Sequence, residues 1–300
     1  MRNWLNISTA LAATVLLVLM LSVVTGCDEH SAKHPVKAAR MAEPAAPQPG
    51  LGWQETARNR NSAWGTAGSN VDAVSSIEVA LDADTLPPRD TVHVAALVNR
   101  VLADTPAADP ANRPVVMLTT SPWNDDTMLL WVAVSSAPGT PQEAIRVAFE
   151  PASVSSYRAM GDPAALAPAG TAARSFGMLY EILPQPGAIL SATTRYAELS
   201  VGSSEGGSGG QDRPITGADV VDSLDDAPDT VRFAVAVAGF GGLLRGDAAL
   251  RDLSCEDVIA MAESADKPDP TGLRAKLIAL MKRAEPLIDV PSGDAPPNSR

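Results

Sequence analysis

An α+β fold, an antiparallel β-sheet or sandwich with packed helices, is what this sequence predicts, and three observations carry it. Six short runs between residues 115 and 199 have strand character, and several alternate apolar with polar residues. Segments on either side carry helical spacing instead, with apolar residues three and four apart. Residues 202–210 form a Ser/Gly run with one Glu, which buries nothing and divides the strand-rich part from the helical part.

Residues 1–26 are set aside before any fold argument, as a targeting segment. Arg2 is the only charge before Asp28, residues 7–24 are mostly apolar, and the run ends in Val24-Thr25-Gly26-Cys27. A transmembrane helix needs ~20 apolar residues, so length alone leaves that reading open. The cysteine argues otherwise, because the string resembles the lipobox of bacterial lipoproteins, whose cysteine receives diacylglycerol. The sequence therefore predicts a lipoprotein signal peptide with lipid attachment, as by palmitate, at Cys27. Cleavage leaves roughly 270 residues, enough to bury about 70% of the extended-chain surface. With Cys27 committed to lipid, Cys255 has no partner for a disulfide within the chain.

Acidic residues outnumber basic ones 35 to 23, for a net charge of −12. No Lys/Arg stripe offers phosphate neutralisation, so nucleic acid is excluded as a partner. The same charge repels anionic headgroups, which leaves attachment to the lipid.

Residues 27–70 read as a flexible tether rich in Pro and Gly, with Trp53 and Trp64 docking back on the domain. A mainly β domain with one N-terminal helix is expected over 71–201. From Thr91, Val94, Leu97, Val98 and Val101 mark that helix, capped by Asp90 and closed by Pro106 and Pro110. The strand runs are 115–119, 128–134, 145–149, 154–159, 176–183 and 189–199, with turns at Ala137-Pro138-Gly139 and at residues 184–187. A Gly/Ser-rich linker or loop over 202–228 precedes a helical region over 229–288 that packs on the β part, and 289–300 is a disordered tail. Ser254 caps a helix with Asp257 as third-position acid and Leu253 stapling onto Val258. Asp269-Pro270 begins another, whose apolar face is Leu273, Leu277, Leu280, Ala284 and Leu287. Residues 231–242 satisfy both periods, since valines alternate while the alanines favour a helix.

Four stretches carry a resemblance to a known family. Leu86-Pro87-Pro88-Arg89-Asp90-Thr91-Val92 with Leu97-Val98-Asn99, and Ser121-Pro122-Trp123-Asn124 with Leu129-Leu130, form the first. The second, residues 145–160, contains Phe149-Glu150-Pro151 and Tyr157-Arg158, and the third is Met178-Leu179-Tyr180-Glu181-Ile182-Leu183-Pro184. The fourth spans 231–246, followed by 255–262 and 272–284. Together they resemble the flanks of bacterial YfbK-like lipoproteins, in which the flanks surround a von Willebrand factor A domain. The resemblance implies that 231–244 is a helix. It also implies that the A domain is missing, because only residues 135–144 lie where it would be inserted. A single hairpin joining 128–134 to 145–149 is then expected.

An A-domain metal site needs a clustered Asp-x-Ser-x-Ser to hold a hard cation. The nearest string, Asp72-Ala73-Val74-Ser75-Ser76, lacks the first hydroxyl and reads as a loop, so no metal is expected at such a site. His30 and His34 fall in the tether, and His93 reads as a surface or boundary residue, not a triad member. Cys255 at a helix start reads as a buried, inert thiol, and Gly239, Gly241 and Gly242 as allowing close helix packing. No cofactor and no catalytic residue are expected.

The function these readings predict is a lipid-anchored, non-catalytic protein-interaction module of the cell envelope, with an envelope protein as partner. Asp28 after the lipid cysteine resembles an inner-membrane retention signal, which points to the periplasmic face of the inner membrane. The alternatives are an envelope hydrolase using Asp125, Asp126 or Glu150, and a decayed paralogue without a binding role.

Overall fold

The computed structural model describes residues 53–58, 61–64, 73–104, 113–136, 144–161, 174–188, 191–202, 211–250, 252–265 and 269–288. Cys27, His30, His34 and the expected C-terminal tail lie outside the described residues. Among the described residues, no helix is long and apolar enough to cross a membrane.

The chain is α+β. Among the described residues nine strands run in order: β1 (Gln54–Glu55), β2 (Asn61–Trp64), β3 (Val115–Ser121), β4 (Asn124–Ser136), β5 (Ala144–Phe149), β6 (Val154–Ala159), β7 (Arg174–Pro184), β8 (Arg195–Gly202) and β9 (Gln211–Thr216). Sheet A has the order β1-β6-β7-β4-β3 and sheet B the order β2-β5-β8-β9, with every pair of neighbours antiparallel. Five α-helices are described: α1 (Ala73–Asp82), α2 (Val94–Ala103), α3 (Asp229–Arg245), α4 (Cys255–Glu263) and α5 (Leu273–Ile288).

The unbroken apolar run of β4 explains the layering. Met128, Leu130, Val132 and Val134 pack into the core shared with sheet B, while Leu129, Trp131 and Ala133 pack into the core shared with the helices. A strand whose successive side chains point to opposite faces reads as continuous apolar sequence only when both faces are covered. Sheet A is therefore the middle of three layers. Between the sheets, Phe149 stacks on Tyr157 with ring centroids 4.0 Å apart. Sheet B hides Ile145, Val147 and Phe149 and exposes Arg146, the alternation of a sheet with one wet face.

The single hairpin expected between residues 128–134 and 145–149 is not formed. β4 pairs with β3 and β7, whereas β5 pairs with β2 and β8. Both flanks of β4 are occupied, so the next strand crosses to the facing sheet. The turn at 184–187 likewise joins strands of different sheets, with Ala188 N–H donating to Gln185 O at 3.0 Å.

Further differences concern segments read as loops. Residues 53–58 and 61–64 are not tether: β1 and β2 extend the edges of the two sheets through main-chain pairing with β6 and β5. Ala73, Val74, Ser75 and Ser76 begin α1, because Val74, Ile77 and Leu81 share one buried face and outweigh the turn tendency of the serines. Residues 211–216 are not linker but β9, which pairs with β8 from Val201↔Gln211 to Arg195↔Thr216. Residues 191–194 precede β8 instead of belonging to it, and 189–190 lie outside the described residues.

Asp90 does not cap α2; it lies in the 3-10 turn Arg89–Thr91, and His93 occupies the cap position without a side-chain bond. α2 is tied to sheet A by Asn99, whose Nδ2 donates to Gly177 O at 2.9 Å and whose Oδ1 accepts from Gly177 N at 2.9 Å. A side chain on Gly177 would run into Leu102 and into Trp131, 2.8 Å from its Cη2. Residues 231–244 are helical, as the family resemblance implies, within α3, which is buried from Phe233 to Gly242 without a break. Its glycines do permit close packing: a Cβ at Gly241 would lie 3.0 Å from Val94 Cγ2, and one at Gly239 3.0 Å from Leu253 Cδ2.

The capping box of α4 forms as expected. Ser254 Oγ accepts from Asp257 N and Asp257 Oδ2 from Ser254 N, both at 3.0 Å. α5 starts at Leu273, after Gly272 with φ +78°, and not at Pro270. Asp269 still serves its start, since Oδ2 accepts from Ala275 N at 2.9 Å.

Candidate functional site

The helix-facing side of sheet A carries one charged cluster. On β6, Arg158 points to this side because Tyr157 fills the other, and the register sets Glu181 of β7 directly opposite. Tyr180 and Ile182 face sheet B, so Glu181 points away from the sandwich, the side that alternation assigns to polar residues. The helical layer nevertheless covers it, and Glu181 is 0% exposed and Arg158 3% exposed.

Every oxygen of that carboxylate is engaged. Oε1 accepts from Thr127 Oγ1 at 2.7 Å and from Trp123 Nε1 at 3.1 Å. Oε2 accepts from Arg158 Nε at 2.6 Å, and Nη2 approaches the same oxygen at 2.6 Å as an ion-pair contact without hydrogen-bond alignment. Arg158 Nη1 reaches past the sheet to donate to Asp247 Oδ2. Isolated charges at such depth cost several kcal/mol each, so the cluster exists only because each charge is partnered.

Asp247 is brought there by the end of α3. Gly246 adopts φ +65°, and Asp247 N–H then donates back to Gly242 O at 3.0 Å while its Oδ1 accepts from Ala249 N at 3.0 Å. A Cβ at Gly246 would lie 2.8 Å from Arg89 Cζ, the far end of an exposed side chain that can swing away, so glycine is needed there for conformation. On the open side, the Trp53 ring lies over Arg158, 5.6 Å from ring centroid to Cζ. The docking expected of Trp53 is thus given a specific partner. Trp64 enters β2 opposite Ile145.

Chemically the arrangement is a joint. It locks β4, β6 and β7 to the end of α3, with its carboxylate oxygens occupied by protein donors. Sequence reading missed it, although Glu181 interrupts the apolar run of β7 and both residues fall within stretches already singled out by resemblance.

The residues weighed for hydrolysis fall elsewhere. Asp125 and Asp126 are exposed at the start of β4, where Asn124 Oδ1 accepts from Asp126 N at 3.0 Å. Glu150 is partly buried after β5, its N–H donating to Tyr196 O at 2.8 Å. Among the described residues, no side-chain bond joins these acids to one another. His93 is partly buried, a boundary residue, and Cys255 is buried with Sγ 3.7 Å from Met281 O. Burial raises the Tyr157 hydroxyl to about 12, and that hydroxyl donates to Gln54 Oε1 at 3.0 Å.

Comparison with known proteins gives one family. No curated protein and no solved structure matches the chain. Residues 204–287 match the family model described as "Uncharacterized protein YfbK, C-terminal", a segment holding β9 and α3 to α5, and this part of the chain is similar to that family.

Proposed function

We propose that this chain is a lipid-anchored, non-catalytic protein of the cell envelope that acts as an interaction module, derived from a von Willebrand factor A-domain lipoprotein that has lost its A domain. The observation that carries the reading is the junction of β4 and β5. Each strand has both ladder partners in its own sheet, β3 and β7 for one and β2 and β8 for the other. A domain inserted or removed between residues 136 and 144 leaves every one of those pairings in place, which favours flanks that are complete without an insert. The YfbK match over 204–287 supports the same descent.

The string Val24-Thr25-Gly26-Cys27 supports a thioether-linked lipid at Cys27, and Asp28 supports the periplasmic face of the inner membrane. With a net charge of −12, the acyl chains supply the membrane affinity. Radiolabelled palmitate incorporation in the full chain tests the anchor: label should enter the natural protein and be lost in Cys27→Ala. An unlabelled natural protein, or a Cys27→Ala variant that sediments equally with membranes, refutes it. Crosslinking in the host envelope tests the interaction role, which is refuted if no specific partner is captured.

A further inference from the structure

The edge of sheet A where the chain enters the described fold is held by a very short segment. β1 contributes only Gln54 and Glu55 to the ladder, opposite Tyr157 and Ser156. Thr56 N–H adds one bond to Ser155 O at 3.0 Å, and Gln54 Oε1 receives the Tyr157 hydroxyl at 3.0 Å. The seat is incomplete, because Thr56 Oγ1 and Ser156 Oγ are buried without a hydrogen-bond partner among the described residues. Trp53 nevertheless covers Arg158, and Arg158 holds Asp247 at the end of α3. A line of direct contacts therefore runs from the entering chain to the helical layer through one guanidinium.

We propose that residues 53–56 are a latch. It undocks as a unit while both sheets stay closed, and its docking is coupled through Arg158 to the Asp247 end of α3. The physical grounds are local. A two-residue edge strand with few buried apolar contacts belongs to the part of a fold that opens most easily. Once Trp53 leaves, water reaches the guanidinium face, the local dielectric rises, and the pairing of Arg158 with Asp247 weakens. Coupling of this kind is reciprocal, so loosening Asp247 must also loosen Trp53. The device gives the helical layer a means of sensing whether residues 53–56 are docked, and it stands apart from the lipid-anchor reading because it needs no membrane.

Hydrogen exchange of the full chain, read amide by amide, tests it. The Thr56 amide should exchange at least about tenfold faster than the amides of β4 and β7, as expected of sub-global opening. Trp53→Ala should accelerate the Asp247 and Leu250 amides by about fivefold, and Asp247→Asn should accelerate the Thr56 amide by a similar factor, each by more than it accelerates β4. Trp53→Phe, which keeps an aromatic face over Arg158, should return both regions toward the natural rates. The proposal is overturned if Thr56 exchanges only with the core, if Trp53→Ala alters residues 53–58 alone, or if either variant accelerates all amides in equal proportion.

Discussion

Replacing Glu181 with glutamine is the sharpest test of the buried joint, because the side chain keeps its shape and loses its charge. The amide oxygen retains the bonds from Trp123 and Thr127, but the amide nitrogen must then face Arg158 Nε and Nη2, which both lie 2.6 Å from Oε2. Donor is set against donor, and Arg158, 3% exposed, is left with Asp247 as its one anionic partner in the joint. Breaking one side of a buried pair costs about 3–5 kcal/mol. At ~2–4 °C per kcal/mol for a body of this size, the melting temperature should fall by roughly 6–20 °C. Urea unfolding should give the same loss at an unchanged slope. The double variant Glu181→Gln with Arg158→Met should recover part of it, since no unpaired charge then stays buried. The surface pair Lys276–Glu78, with side chains 42% and 35% exposed, provides the control, and Glu78→Gln should cost less than about 1 kcal/mol. If Glu181→Gln costs no more than that control, the joint does not hold the layers together.

Gly177→Val should destabilise by about 1–3 kcal/mol through overpacking against Leu102 and Trp131, and a chemical denaturation curve superimposable on the natural one would refute the close approach of α2 to β7. Ser254→Ala should cost about 1 kcal/mol from the lost cap. Hydrogen bonds from Ser254 hold the Asp257 carboxyl below its ordinary range, so that part of the stability is present above the unfolded carboxylate pKa and is lost as pH falls through the lowered one. The gap between the natural protein and Ser254→Ala should therefore narrow on acidification, and a constant gap in thermal melts would refute the linkage. Tyr157 binds its proton more tightly when folded, so its contribution is full below the ordinary value of 10.0 and lost as pH rises toward about 12. Tyrosinate absorbance should show a late-titrating group that Tyr157→Phe removes; an unchanged titration would contradict its burial.

How much could be read from the chain depended on how local the signal was. Residues 115–121, 124–136, 144–149, 154–159 and 174–184 form strands where alternation or an apolar run marked them, and the Ser254–Asp257 capping box needs only its own four residues. β1, β2 and β9 escaped, since two to six residues without strong alternation become strands only when a neighbouring edge supplies their hydrogen bonds. α1 carried a readable signal in Val74, Ile77 and Leu81 that the serines beside it obscured. In the joint, alternation assigns Arg158 and Glu181 to one face of their strands. It cannot assign that face to solvent or interior, because the cover comes from helices later in the chain.

Local side-chain order was enough for the α+β class and for the capped start of α4, because periods of 2 and 3.6 and cap chemistry act over a few neighbouring residues. The tertiary structure alone decided that β5 leaves β4 for the opposite sheet, that residues 53–56 and 211–216 close sheet edges, and that Glu181 is sealed from water. Those outcomes depend on which distant surface covers a face or an edge, and side-chain order along one segment carries no record of what arrives from another.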